Sequence, residues 1–247
     1  MFKKIILSIV LFGTVFASDR QKVVLITGTA HGIGKSTAQY LIDKGYIVYG
    51  GDILVEENLY LNDIGGVALE MDVTKQDHVE NAINQIIAEQ GRIDVLVNNA
   101  GISPSSLEDY TTSSLLDLTE EAFGQTIKVN VLAPYICTKI LLPMLIKTEE
   151  PKVINVGSTS GLMTPVLSGA YGVSKAALHA LTIASANELA GVVAVNALSP
   201  GWVLTDMAPD APDHPRTSAE SALWLIRQDN NVTGKLFHDK ALLGWSG

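Results

Sequence analysis

From about residue 22 onward, short apolar runs alternate with amphipathic stretches of helical length. The apolar runs, rich in β-branched residues, predict strands at Val23–Thr27, Tyr46–Asp52, Val67–Asp72, Ile93–Asn98, Lys152–Gly157, Val192–Leu198 and Lys235–Phe237. The amphipathic stretches predict helices at Ile33–Lys44, Lys75–Gln90, Thr119–Lys147 with a break near Asn130, Ala170–Ala190 and Ser218–Arg227. Such alternation predicts parallel strands joined by crossover helices, and strands this apolar are covered on both faces. We therefore expect one α/β domain over residues 22–247, a doubly wound parallel sheet of about seven strands with helices on both faces.

The predicted elements end at plausible boundaries. Gly45, Gly91 and Gly191 each follow a helical run, where a left-handed C-cap residue is favoured. The least organised stretches are Ser103–Leu118 and Ala208–Thr217, and both follow the ends of predicted strands. Either stretch could therefore border a substrate site.

Charge and cysteine content exclude several classes of function. The formal net charge is −9, whereas a nucleic-acid surface needs clustered lysine and arginine, so no DNA or RNA partner is expected. A single cysteine, Cys137, excludes an internal disulfide and a multi-cysteine zinc site, and no metal site is predicted. Because Cys137 lies in an apolar run, we expect it to be a small buried hydrophobe.

The first residues have the pattern of a signal peptide. Lys3 and Lys4 precede an apolar run from Ile5 to Phe16, and small residues surround a cleavage position after Ala17. An uncleaved membrane anchor over residues 1–17 and a simple extension of the domain are the alternatives, the last of which implies a cytoplasmic protein.

A glycine-rich turn joins the first predicted strand to the first predicted helix. Glycines there let the backbone turn tightly and approach a pyrophosphate, while the helix N-terminus supplies free N–H groups and a favourable dipole. The spacing is Gly-x-x-x-Gly-x-Gly, which differs from the Gly-x-Gly-x-x-Gly of the common dinucleotide-binding fingerprint. The position of the turn, between a predicted strand and a predicted helix, is the one that the fingerprint requires. A plain tight turn is the alternative. The predicted cofactor contacts in the turn are Thr27, Gly28, His31, Gly32, Ile33 and Gly34.

Asp52 ends the next strand, 24 residues after Gly28. A carboxylate near this spacing accepts hydrogen bonds from the adenosine ribose hydroxyls and repels a 2′-phosphate. Asp52 therefore favours NAD, while NADP remains an alternative because His31 could become cationic and soften the repulsion. The simpler interpretations are that Asp52 only ends a strand and that His31 is a solvated turn residue.

A tyrosine and a lysine four residues apart share one face of a helix, where the ammonium can lower the phenol pKa from about 10. The chain contains this spacing three times: Tyr40 with Lys44, Tyr135 with Lys139, and Tyr171 with Lys175. The first pair is expected to be surface or packing, and the second to be core or a subunit interface, which is compatible with a homo-oligomer. Only Tyr171 follows a strand end closely, with Ser158 13 residues before it.

Taken together, these residues resemble the short single-domain branch of the short-chain dehydrogenase/reductase family, over residues 22 to 243. The resemblance implies a Rossmann-type fold, with the glycine-rich turn as the cofactor turn. It also implies cofactor contacts from Asp72, Val73, Asn99, Ala100, Gly101, Tyr171, Lys175, Pro200, Gly201 and Thr205, and a catalytic tetrad of Asn130, Ser158, Tyr171 and Lys175. The tail, with Thr233–Phe237 and Trp245, is similar to carbonyl-reductase-like members.

The resemblance implies hydride transfer between a nicotinamide and a small alcohol or carbonyl substrate. In that mechanism Ser158 and Tyr171 bind the carbonyl oxygen, and Tyr171 gives or takes the proton. Lys175 lowers the Tyr171 pKa and holds the nicotinamide ribose, and Asn130 orders a water that links Lys175 to solvent. The direction stays open at this point. The alternatives are a regulator that senses NAD without turnover and a sugar-nucleotide epimerase or dehydratase on the same fold.

Overall fold

The structure, a computed structural model, describes residues 20–107, 115–162 and 169–245. Its strands are β1 (Val23–Thr27), β2 (Ile47–Asp52), β3 (Val67–Glu70), β4 (Val95–Asn98), β5 (Lys152–Val156), β6 (Ala194–Ser199), β7 (Leu236–His238) and β8 (Ala241–Leu243). They form one sheet in the order β3-β2-β1-β4-β5-β6-β7-β8. All pairs are parallel except β7 with β8, so the predicted doubly wound sheet is confirmed with one strand more than expected.

Eight helices flank the sheet in the part of the chain that the structure describes. They are α1 (Gly32–Asp43), α2 (Val55–Asn58), α3 (Tyr60–Asp63), α4 (Gln76–Gln90), α5 (Glu120–Ile127), α6 (Ala133–Leu145), α7 (Gly169–Glu188) and α8 (Arg216–Ile226). Single 3₁₀ turns occur at Pro104–Ser106, Leu115–Asp117 and Thr159–Gly161.

The core divides into two layers because successive strand residues point to opposite faces of the sheet. Val23 and Leu25 pack in one cluster with residues of α4 and α6, including Ile86 and Leu141. Their neighbours Val24 and Ile26 pack in the other cluster, with residues of α1 and α8. The two-sided burial of β1 explains why its sequence is apolar throughout rather than alternating.

The predicted break near Asn130 is confirmed. The stretch Thr119–Lys147 forms α5, then a π-helical turn at Lys128–Leu132, then α6. By length and composition, Glu120–Leu145 could also cross a membrane, but the inner face of α6 is buried in the core of the domain. The predictions at Gly45 and Gly91 are also confirmed, since both residues lie at the C-terminal ends of α1 and α4 with positive φ. Gly191 has positive φ too, but it lies three residues after the end of α7 at Glu188.

The elements that the sequence analysis missed are short. Helices α2 and α3 have four residues each, too few for a helical period to show. Strand β8 pairs with β7 through a two-residue turn at Asp239 and Lys240, whose φ angles are 45° and 66°. Two positive φ angles are the mark of a type I′ hairpin, but the usual Asn-Gly or Asp-Gly signal is absent here.

The order of the strands determines where a ligand can bind. The chain winds from β1 outward to β3, and then crosses back to β4 beside β1. A crevice therefore opens between the carboxyl ends of β1 and β4, which is where open α/β sheets bind ligands. Of the loops predicted to border a substrate site, 208–217 is described throughout, whereas residues 108–114 of the other, like the predicted signal peptide 1–17, lie outside the described residues.

The packing of β4 leads to a stability prediction. Leu96 is fully buried between Leu25 of β1 and Val153 of β5, so Leu96→Ala leaves a cavity in the larger cluster. We expect the free energy of unfolding to fall by about 2–5 kcal/mol, measured by urea denaturation followed by circular dichroism. The matched control is Leu116→Ala, at a leucine that is 92% exposed, which should change stability by less than about 0.5 kcal/mol. Equal effects of the two substitutions would contradict this description of the core.

Candidate functional site

The glycine-rich turn leaves the start of α1 open to a ligand. A Cβ on Gly34 would lie 1.9 Å from the Gly28 carbonyl oxygen, so α1 packs on the turn only because this position has no side chain. His31 is the N-cap residue, but its side chain does not cap the helix, and the first turn of α1 has no acidic residue. The free N–H groups and the helix dipole there fit a pyrophosphate group.

The turn is braced from the neighbouring strand. Asn99 follows β4, and its side-chain Nδ2 donates to the carbonyl oxygens of Thr27 (2.8 Å) and Gly28 (2.9 Å). The Thr27 hydroxyl accepts hydrogen bonds from the backbone N–H groups of Asn99 and Ala100, both at 3.0 Å. Thr27 is only 2% exposed, so the structure places it as a support beneath the turn rather than at the surface of the crevice.

Asp52 lies at the carboxyl end of β2, at the edge of the same crevice. Its Oδ2 accepts a hydrogen bond from the Ala30 N–H at 2.9 Å, and its Oδ1 accepts one from the Leu54 N–H at 3.0 Å. These two bonds hold the carboxylate beside the turn. A carboxylate oxygen has further lone pairs, so Asp52 can still accept hydrogen bonds from a ribose hydroxyl.

Asp72 and Val73 lie at the carboxyl end of β3. Burial alone would raise the pKa of Asp72, but hydrogen bonds from Thr74 and Lys75 hold it below the usual value. The bonds from the Thr74 N–H and hydroxyl measure 2.9 and 2.7 Å. Val73 is buried in the core beside Thr27. Neither residue lines the main crevice among the residues described here.

One cavity of about 360 Å³ joins the turn to the start of α7. Of the residues predicted as sites, it is lined by Gly28, His31, Gly32, Ile33, Asp52, Asn99, Ala100, Gly101, Tyr171, Lys175, Pro200 and Thr205. The predicted residues outside its lining are Thr27, Gly34, Asp72, Val73, Asn130, Ser158 and Gly201. The structure therefore brings most of the predicted residues to a single cavity and places several others directly behind it.

Three polar side chains meet at the inner end of this cavity. Ser158 follows β5, and its hydroxyl accepts a hydrogen bond from the Ser160 N–H at 3.1 Å and lies near enough to the Tyr171 phenol to lower its pKa. The Lys175 Nζ lies 5.5 Å from the centroid of the Tyr171 ring and donates a hydrogen bond to the Val156 carbonyl oxygen at 2.7 Å. Lys175 is only 4% exposed. A hydroxyl, a phenol and an amine therefore share one enclosed corner.

The expectation that Lys175 lowers the pKa of Tyr171 stays a prediction, and burial of the phenol acts in the opposite direction. Burial raises the pKa of the Tyr171 phenol, and only the hydrogen bond to Ser158 acts in the opposite direction. Burial also lowers the pKa of Lys175 to about 8, and its Nζ donates a hydrogen bond to the Val156 carbonyl oxygen. The phenol accordingly keeps its proton at neutral pH.

Asn130 lies in the π-helical turn, behind Gly101. Its Nδ2 donates to the Ile102 carbonyl oxygen (2.8 Å) and to the Ser174 hydroxyl (2.9 Å), while its Oδ1 accepts from the Ile102 N–H (2.8 Å). Both amide donors and the amide oxygen are thus bonded to protein groups. The side chain joins the segment after β4 to α7, and its expected role in ordering a water stays a prediction.

Two comparisons with known proteins decide the family. A family model described as short chain dehydrogenase matches residues 22–216. A 3-oxoacyl-[acyl-carrier-protein] reductase of Thermotoga maritima is 35% identical over 214 residues, which are 83% of this chain and 84% of that protein. The chain belongs to the short-chain dehydrogenase/reductase family.

Other members of the short-chain dehydrogenase/reductase family agree with this assignment. A 3-ketodihydrosphingosine reductase of Bacteroides thetaiotaomicron is 38% identical over 169 residues, 68% of this chain and 58% of that protein. A crystal structure of a Brucella melitensis 3-ketoacyl-(acyl-carrier-protein) reductase complexed with NADH has a TM-score of 0.79 at 28% identity, covering 88% and 96% of the two chains. ElxO with NADP bound has the same TM-score and identity, covering 89% and 97%. The chain is accordingly an NAD(P)-dependent oxidoreductase of this family.

The three tyrosine–lysine pairs have almost the same local geometry. The lysine Nζ lies 5.3 Å from the ring centroid at Tyr40, 5.8 Å at Tyr135 and 5.5 Å at Tyr171. Tyr40 packs beside the core, and Tyr135 is 45% exposed, so the interpretation of Tyr135 as a core residue is wrong. Of the three tyrosines, only Tyr171 lines the cavity and interacts with a serine hydroxyl, that of Ser158.

The sequence analysis missed His179, which lies beside Ser158 and the enclosed corner. Its Nε2 accepts a hydrogen bond from the Ser158 N–H at 3.4 Å. Burial, together with the charge of Lys175, lowers the pKa of His179 to about 4, so the ring is neutral. A signal was present in the sequence, since Tyr171, Lys175 and His179 follow one another at intervals of four residues and so share one helix face.

The sequence analysis also missed contacts at the mouth of the cavity. His31 is paired with Glu57 of α2 and with Asp206, and Leu54 and Met207 line the cavity nearby. No pattern in the sequence points to these contacts, because they join three segments that are distant along the chain.

The burial of Lys175 leads to a pH-dependent prediction. Its pKa is about 8 in the folded protein and 10.5 unperturbed, so between these values the unfolded chain binds more protons and the wild-type stability rises with pH. Below about pH 8, Lys175 is charged in the folded protein, so burial of its ammonium lowers the free energy of unfolding by the full amount. We expect Lys175→Met to be more stable than wild type at pH 7, by on the order of 2 kcal/mol, and this gain to shrink toward pH 10.

Urea denaturation at several pH values measures this difference in the free energy of unfolding. The matched control is Lys139→Met, since Lys139 has the same position relative to Tyr135 on an exposed surface. That variant should show no pH-dependent gain. A Lys175→Met protein less stable than wild type at pH 7 would argue against a buried lysine that costs stability.

Proposed function

We propose that this chain is an NAD-preferring reductase that transfers hydride to the carbonyl carbon of a small ketone, with Tyr171 as the general acid. The observation that supports it most is the shared corner of Ser158, Tyr171 and Lys175 at one end of the cavity that begins at the glycine-rich turn. The reverse reaction, oxidation of the corresponding alcohol, uses the same groups.

The cofactor role is assigned to the residues around the cavity. The bound nicotinamide cofactor supplies the hydride. The start of α1 is suited to bind the pyrophosphate, and Asp52 is placed to accept hydrogen bonds from the adenosine ribose. The residues we propose as cofactor contacts or supports are Thr27, Gly28, His31, Gly32, Ile33, Gly34, Asp52, Asp72, Val73, Asn99, Ala100, Gly101, Tyr171, Lys175, Pro200, Gly201 and Thr205.

The catalytic role follows from the protonation states of the corner. Burial raises the pKa of Tyr171, so the phenol carries its proton at neutral pH and can donate it to a developing alkoxide. The Ser158 hydroxyl is in position to orient the same oxygen. Lys175 has a pKa of about 8 and can return a proton toward Tyr171 at mildly alkaline pH. A protonated phenol favours the reductive direction.

The substrate is proposed from the site and from the names of relatives. A 3-oxoacyl-[acyl-carrier-protein] reductase and a 3-ketodihydrosphingosine reductase are both named for compounds with a keto group at carbon 3. Met207, which lines the cavity after β6, has an exposed apolar side chain that suits an apolar substrate. A panel of simple ketones, cyclic ketones and 3-oxoacyl thioesters, followed by nicotinamide absorbance, tests this proposal. Tight cofactor binding without turnover on any of them would favour the NAD-sensing alternative.

The role of Tyr171 is tested by Tyr171→Phe. We expect kcat to fall by at least about 100-fold, because the proton donor is lost, with NADH binding changed by less than about threefold. Steady-state kinetics and isothermal titration calorimetry measure the two effects. Tyr135→Phe is the matched control, since Tyr135 has the same lysine spacing outside the cavity, and it should keep full activity. Substantial activity in the Tyr171→Phe protein would show that another group supplies the proton.

The cofactor preference is tested by binding alone. With Asp52 beside the turn, we expect wild-type protein to bind NADH at least about tenfold more tightly than NADPH, because the carboxylate repels the 2′-phosphate. Isothermal titration calorimetry with both reduced cofactors measures the ratio. Asp52→Asn should bring the dissociation constants of NADH and NADPH closer together, mainly because NADPH binds more tightly. A wild-type protein that prefers NADPH would contradict the proposed role of Asp52.

A further inference from the structure

At the mouth of the cavity, His31 lies between the carboxylates of Glu57 and Asp206, and we call this arrangement of three residues the clamp. The Nδ1 of His31 lies 2.7 Å from Oδ2 of Asp206, and its Nε2 is in contact with Oε2 of Glu57. The three residues come from the glycine-rich turn, from α2 and from the segment after Thr205. Both contacts are hydrogen bonds only when both ring nitrogens carry protons, so the geometry suits a cationic imidazolium.

The charges around the cavity make this clamp relevant to cofactor choice. Among the described lining residues, the groups able to carry positive charge are His31 and Lys175. Lys175 lies at the catalytic end, with its Nζ bonded to Val156. Of these two lining residues, His31 is the one at the turn, one residue from the Ala30 N–H that is bonded to Asp52.

A 2′-phosphate carries close to two negative charges and needs a cationic or N–H donor partner. His31 could serve as that partner, but both of its ring nitrogens already face carboxylates. Counting Asp52, three carboxylates surround one cation at this end of the cavity. A 2′-phosphate would have to displace Glu57 or Asp206 and would still face the charge of Asp52.

We propose that Glu57 and Asp206 are cofactor-specificity residues, which act by holding His31 away from a 2′-phosphate. This inference rests on the proposed NAD-dependent function. It adds to the role of Asp52, because Asp52 repels the phosphate directly, whereas Glu57 and Asp206 remove the cation that would attract it. Hydroxyls of an NAD ribose require no cation, so NADH binding does not depend on the clamp.

The expected effects are modest because the clamp is partly solvated. The side chains of His31, Glu57 and Asp206 are 45%, 52% and 80% exposed, and exposed ion pairs are weak. Glu57→Gln and Asp206→Asn should each tighten NADPH binding by about two- to fivefold and leave NADH binding within about 1.5-fold of wild type.

The experiment is isothermal titration calorimetry of the full chain with NADPH and with NADH, which needs no knowledge of the substrate. Two matched controls each remove one negative charge near a carboxylate of the clamp. Glu56→Gln lies on the same helix as Glu57, and Asp210→Asn lies four residues after Asp206. Neither Glu56 nor Asp210 has a side-chain hydrogen bond or ion pair within the described part of the chain, and both are exposed. Neither control should change the ratio of the two dissociation constants.

A double variant tests whether the effect passes through His31. In His31→Gln/Glu57→Gln, the gain in NADPH affinity should disappear, because the cation that Glu57→Gln releases is gone. A gain that persists without His31, or that appears equally in Glu56→Gln, would overturn the inference in favour of general charge repulsion. Unchanged NADPH binding in both Glu57→Gln and Asp206→Asn would also overturn it.

The same titrations separate failure of this inference from failure of the proposed function. If wild-type protein binds both cofactors but the variants leave their ratio unchanged, the clamp has no role in specificity and the proposed function stands. If wild-type protein binds neither cofactor, the proposed function and the inference are both wrong. Circular dichroism of each variant verifies that it is folded.

Discussion

The site depends on the hydrogen bonds by which Asn99 joins two neighbouring strands at their carboxyl ends. Its side chain donates to the Thr27 and Gly28 carbonyl oxygens, and the Thr27 hydroxyl accepts two backbone N–H groups in return. Buried backbone groups that leave a sheet must find such partners or lose stability. These bonds hold the glycine-rich turn open at the point where the strand order reverses, so that the start of α1 faces a crevice rather than packed side chains.

Burial then determines the chemistry at the other end of the crevice. Tyr171 and Lys175 lie on one face of α7 and are both shielded from water, so the phenol pKa rises and the lysine pKa falls to about 8. Desolvation favours the neutral form of each group. His179, one turn further along, is neutral for the same reason and bonds to the backbone of Ser158. The corner therefore contains a protonated phenol, a neutral imidazole and a lysine that loses its proton near pH 8.

The three tyrosine–lysine pairs have similar local geometry but lie in different tertiary environments. All three place the ammonium within 6 Å of the ring, because a spacing of four residues on a helix puts both side chains on one face. What differs is the tertiary environment. Tyr135 faces outward, whereas Tyr171 meets Ser158 from another element of the sheet inside the cavity.

The amino-acid sequence alone determined the alternation of strands and helices, the break at Asn130, the glycine-rich turn, Asp52 at the end of β2 and the choice of Tyr171. These features are local, because they depend on periodicity, on glycine or on a position after a strand. Only the tertiary structure decided the hairpin partner β8, the contact of His179 with Ser158, the raised pKa of Tyr171 and the clamp of His31 by Glu57 and Asp206. Burial and contacts between distant segments exist only after the chain has packed. The four-residue spacing places Tyr171, Lys175 and His179 on one helix face, but it does not specify that His179 meets Ser158.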